Sequence, residues 1–152
     1  MKLAEALILR ADCQKRIAQL QQRLIRSAKV QEGEQPPEAP QELLAELEAA
    51  TAELTSLIQR INRTNSLTPL QEKTLSDALA ERDVLQLKRQ AYERVMQEAS
   101  IRQDRYSRSE VRFVSTVDIA QIQGTSDNLA RDYRILDSQI QAQNWQTDLI
   151  ET

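Results

Sequence analysis

Between Arg102 and Asp118 the chain reads "RQDRYSRSEVRFVSTVD", with four arginines (Arg102, Arg105, Arg108, Arg112) and two of the protein's five aromatic residues, Tyr106 and Phe113. Guanidinium groups fork onto phosphate oxygens and a tyrosine ring stacks on a base. Arg105, Tyr106, Arg108 and Arg112, with Ser107 and Ser109, are therefore a candidate cradle for an anion or a nucleic-acid backbone. Asp104 and Glu110 lie in the same run. Arginines beside carboxylates commonly close structural ion-pair networks, so a structural role ranks ahead of a ligand here. Asn62, Arg63 and Asn65, from "NRTN", form a second candidate patch.

Chemistry elsewhere is sparse. The absence of histidine removes His-based triads, His general bases and His-ligated metal sites. The single cysteine, Cys13, falls on an apolar stripe and reads as a small buried hydrophobe. Helical carboxylate sites for magnesium need acids three residues apart. No Glu here is followed at that spacing by Glu or Asp, and Asp148–Glu151 has its Asp first. With two glycines in the whole chain there is no Gly-rich phosphate loop. The expectation is a protein that is not an enzyme and has no catalytic residue, metal or cofactor.

The elements that would position the arginines are helices. The 152 residues suit a single domain, 1–152, and Ala, Leu, Glu, Gln and Arg dominate. Aromatics are 3%, so the core is built from Leu, Ile and Ala, which suits narrow helix–helix seams. A first helix is expected from Met1 to about Val30, with Leu3, Ala6, Arg10, Cys13, Ile17, Leu20, Leu24 and Ser27 spaced three and four apart. A Pro/Gly loop, 31–40, follows. A second helix from about Gln41 carries Leu43, Leu47, Ala50, Leu54, Leu57 and Ile61, with Leu44 and Ile58 widening the face. The cap-type residues of "NRTNSLTP" are expected to end it.

Thr74 to Asp77 fits a capping signal for a third helix, which runs to about Gln103. Its apolar residues, among them Val84, Leu85, Leu87, Ala91, Tyr92, Val95 and Met96, cover half its circumference, so more than one neighbour is expected. A fourth helix runs from Thr116–Asp118 to Trp145–Leu149, lined by Ile122, Leu129, Tyr133, Leu136 and Ile140, and Gly124 is a candidate break. Residues 1–30 hold seven basic residues against two acidic ones, whereas residues 31–58 hold seven glutamates and no Lys or Arg. That contrast suits antiparallel neighbours with complementary flanks. The fold class expected is all-α: long antiparallel helical hairpins, or a four-helix coiled-coil-like bundle, with one short extended segment near 107–116.

The connector, 103–117, alternates Val111, Phe113 and Ser115 with Arg112 and Val114, as a strand does. No second strand-forming segment is read in the chain. Its backbone groups need partners if covered, and a second copy of the chain can supply them, with Val111 and Phe113 as oligomer contacts. An extended linker is the alternative.

The segments "RINRTN", "TLSDALAERDVL" and "DRYSRSEVRFVSTVD", with the opening "MKLAEALILRADCQKRIAQL" and "KVQEGE", resemble the septicolysin-like family of small uncharacterised bacterial proteins. The resemblance implies that "INRTN" and "RYSRSE" are hallmarks, and it brings no catalytic residues. In that family the segment before "TL" looks like an Asp-Gly turn, where this chain has Gln71-Glu72-Lys73.

The opening is interrupted by Glu5 and Arg10 and does not read as a signal peptide, and no apolar run reaches membrane-spanning length, so a cytoplasmic location is expected. The function expected is structural or interaction-based. The partner is a further copy, in a dimer or higher homo-oligomer, and no membrane. Nucleic acid at the 102–112 segment is the second reading.

Overall fold

The structure, a computed structural model, describes residues 1–100 and 111–152. Four helices account for most of it: α1 (Leu3–Ser27), α2 (Pro40–Leu67), α3 (Leu75–Ala99) and α4 (Ile119–Gln146). They form two antiparallel hairpins, α1/α2 and α3/α4. The expected all-α class holds.

Helix α1 buries the stripe read from its sequence. Leu3, Ala6, Cys13, Leu20 and Ser27 are buried, and Arg10, Ile17 and Leu24 are half-buried. Opposite them, Leu43 and Ala50 are buried and Leu47 and Leu54 half-buried. The charged flanks engage as their signs require: Arg16 pairs with Glu53 at 2.5 Å, and Arg23 forks onto Glu38 with Nε–Oε2 at 2.9 Å. These pairs are partly exposed, so they fix register more than they stabilise.

Three sequence expectations need correction. The first helix stops at Ser27, not near Val30. The second does not end at "NRTN" but runs through it to Leu67. Thr64 and Thr68 continue the buried stripe beyond Ile61, and their hydroxyls donate to the carbonyls four residues back, Arg60 at 2.8 Å and Thr64 at 2.7 Å. A threonine bonded this way is compatible with a helix, so cap-type residues gave a false stop. The chain also contains a pair of short strands where no strand is read from the sequence. β1 (Pro69–Leu70) and β2 (Lys73–Thr74) pair antiparallel across Gln71-Glu72. Gln71 takes φ +56°, the left-handed conformation that a tight hairpin needs at its first central residue.

Helix α3 starts where its sequence indicates. Thr74 Oγ1 accepts the Asp77 N–H at 3.2 Å, and Asp77 accepts the Thr74 N–H in return. Helix α4 starts after Asp118, whose carboxylate accepts the Gln121 N–H at 3.1 Å, and it passes Gly124 without interruption.

The two hairpins meet at their bases. One core joins Leu3 and Ala6 of α1, Leu57 and Ile61 of α2, Leu75 and Ala78 of α3, and Leu136 and Ile140 of α4, closed by Leu70 and Leu149. A separate cluster of Leu20, Leu43 and Ala50 holds the outer part of the first hairpin.

The hairpins also repeat one another. α1 and α3 are both 25 residues long, and α2 and α4 both 28. Leu3, Ala6 and Arg10 correspond to Leu75, Ala78 and Arg82. Ile61, Asn65, Thr68 and Leu70 correspond to Ile140, Asn144, Thr147 and Leu149. The Pro69–Thr74 pair between β1 and β2 recurs as a bridge between Asp148 and Lys2. The Leu75 N–H donates to the Thr68 carbonyl at 2.8 Å, and the Leu3 N–H to the Thr147 carbonyl at 2.9 Å. Each half thus gives its end to the start of the other, as the subunits of a two-fold dimer do.

Candidate functional site

Of the first candidate cradle, Arg105, Tyr106 and Arg108 lie outside the described residues, as do residues 107–110 of the expected 107–116 extended segment. Arg112 is exposed. Residues 111–115 form neither helix nor strand within the chain. Phe113 is 77% exposed and Val111 is also exposed. With Val114 and Val117, Phe113 walls a groove of about 440 Å³ against Val95, Glu98 and Ala99 at the end of α3.

The second patch divides. Asn62 and Arg63 are exposed on α2, and Asn65 is half-buried. The residues between and beside them serve the fold. Ile61 enters the shared core. Thr64 Oγ1 accepts the Ile150 N–H at 3.0 Å, and Arg60 pairs with Glu151 at 2.7 Å. These contacts give "RINRTN" a structural role: it anchors the segment that follows α4.

Cys13 is buried and its thiol donates to the Ala50 carbonyl at 3.2 Å. Among the described residues no three of Asp, Glu and Cys stand close enough to hold a metal ion, and no helix is long and apolar enough to cross a membrane.

The feature that sequence reading missed is on α3. The expected wide face is in fact two stripes. One, Leu75, Ala78, Arg82, Leu85, Arg89, Tyr92, Met96 and Ala99, is buried or half-buried, with α4 the main neighbour, and Arg82 pairs there with Asp137 at 3.0 Å. The other, Val84, Leu87, Ala91 and Val95, lies roughly 130° further round the helix. It is exposed, Val84 by 61% and Leu87 by 65%. It leads into the Phe113 groove through Val95. Splitting the apolar positions into two heptads, rather than adding them into one face, would have found it.

Two hairpins sharing a base, with an apolar stripe exposed on one outer face, define an all-α helical protein. The chain belongs to a family of unknown function, DUF6847, whose model matches residues 10–149. It is similar to a solved structure described as a functionally unknown conserved protein from Corynebacterium diphtheriae, with 50% sequence identity over 99% of each chain and a TM-score of 0.93. No curated protein matches it.

Proposed function

We propose that this is a structural or interaction protein that works as a homo-oligomer. One observation carries the reading. Val84, Leu87 and Val95 of α3 are exposed and with Ala91 make an apolar row on the outer face of the second hairpin. Hairpins joined only at their bases leave their outer halves thinly covered. In α3, among the described residues, only Leu75 and Ala78 are buried. A further copy is the simplest cover for such surface. In the same reading the protein is cytoplasmic, non-catalytic and of the septicolysin-like kind, on the "RINRTN" and "TLSDALAERDVL" segments.

Sedimentation equilibrium of the purified chain tests it. The expected mass is a multiple of 17.4 kDa. A monomer at every concentration up to about 100 μM, where even a weak interface of micromolar affinity is formed, would overturn the reading.

A further inference from the structure

We propose that the Val84–Leu87–Ala91–Val95 stripe of α3 docks antiparallel onto the same stripe of a second copy of this chain. The inference rests on the oligomeric reading above and names its surface.

The repeat supplies an internal control. At the positions of α1 that correspond to Val84, Leu87, Ala91 and Val95 stand Asp12, Lys15, Gln19 and Arg23. The two helices have the same length, the same buried stripe and the same place in the shared core. The hairpin therefore has no need of apolar residues on that flank. Their presence on α3 alone calls for a cause outside the hairpin, and water-exposed Val and Leu in a helical row fit a facing helix.

Self-complementarity selects the occupant. Asp83 flanks the first half of the stripe and Arg94 the same side of the second, whereas Glu81 already pairs with Lys73 of its own chain. An antiparallel copy sets each Asp83 beside the partner's Arg94 about a two-fold axis. A parallel copy would set like charges together. The spacing of three, four and four keeps the stripe on one line for ~17 Å. The groove walled by Ala99, Phe113, Val114 and Val117 prolongs it.

The test compares Leu87→Glu with Lys15→Glu, its counterpart on the first hairpin, by sedimentation velocity across a concentration series. Both positions are exposed, and circular dichroism confirms that each variant keeps its helices. Leu87→Glu should raise the dissociation constant of the pair at least about tenfold, because a charge then faces the partner's apolar row. Lys15→Glu should leave it unchanged. If the native chain associates and Leu87→Glu associates equally well, the α3 stripe is not the interface, although the oligomeric reading stands. If both variants weaken the pair equally, the stripe has no special role and the inference also fails. A native chain that is monomeric throughout removes both.

Discussion

The hydroxyl of Thr64, in the last turn of α2, accepts the backbone N–H of Ile150 at 3.0 Å while donating to the Arg60 carbonyl at 2.8 Å. Thr64 is fully buried. One side chain thus completes its own helix and ties down the segment after α4. Thr64→Val keeps the shape and removes both bonds, leaving the Ile150 donor without its acceptor. We expect a loss of about 1–2 kcal/mol in urea unfolding. A change below about 0.3 kcal/mol would mean that water replaces the hydroxyl at no cost.

The seam of the first hairpin is tested by two neighbouring leucines. Leu43 is 2% exposed and Leu44 is 44% exposed. Leu43→Ala should cost about 2–5 kcal/mol, and Leu44→Ala under about 1 kcal/mol. Equal losses in chemical denaturation would rule out the register in which Leu43 packs with Leu20.

Gln71 holds φ +56° at the turn between β1 and β2. A side chain there is strained, and glycine is not. Gln71→Gly should stabilise the protein by about 0.5–1 kcal/mol, the relief of left-handed strain less the added chain entropy. A lower melting temperature would show that the Gln71 side chain stabilises more than its backbone costs.

Acid should unfold the protein partly through three carboxylates. Arg23 holds Glu38, Thr74 holds Asp77, and Lys2 holds Asp148 below the ordinary carboxylate range, each chiefly by a hydrogen bond. Depressed values mean that the folded state keeps these groups ionised to lower pH than the unfolded chain does. Their contribution is complete above the ordinary range and is lost as pH falls through the depressed values. The melting temperature should therefore drop between about pH 5 and pH 3, and Glu38→Gln should flatten part of that drop. An identical profile for Glu38→Gln would show that Glu38 titrates alike in both states.

The Lys2–Asp148 bridge stands where the Thr74–Pro69 pair stands in the other half. A permuted chain should therefore fold, with residue 150 joined to residue 1 by a short Gly-Ser linker and a new start opened between Gln71 and Glu72. Its circular dichroism spectrum and cooperative unfolding should match those of the native order. A molten permutant would show that the Gln71-Glu72 connection is itself needed to bring the halves together.

Much of this fold is legible in the residues. The three-and-four spacing from Leu3 to Ser27 is the buried stripe of α1, and Thr74 and Asp118 cap α3 and α4 as their side chains allow. What was hidden has physical causes. Thr64 and Thr68 look like stop signals because their hydroxyls serve a cap as readily as an i−4 carbonyl, and tertiary burial decides which. Gln71-Glu72 lacks the residues that announce a tight turn, so β1 and β2 give no local sign. The repeat is written mainly in buried and capping positions, while most of the solvent-facing positions differ. The arginines of 105–108 lie outside the described residues. Arg112 and the Asn62–Arg63 pair are exposed, and the residues that do chemistry for the fold in "RINRTN" are Arg60 and Thr64.

Fusing two like hairpins into one polypeptide frees their outer faces to diverge. A dimer assembled from identical hairpins would display any sticky face twice, once on each half. A particle with two such faces goes on adding neighbours and grows into an open fibre. Here the row that is Val84, Leu87, Ala91 and Val95 on one half is Asp12, Lys15, Gln19 and Arg23 on the other. In the pairing proposed above, a row carried by one half alone would close a finite assembly rather than an open fibre.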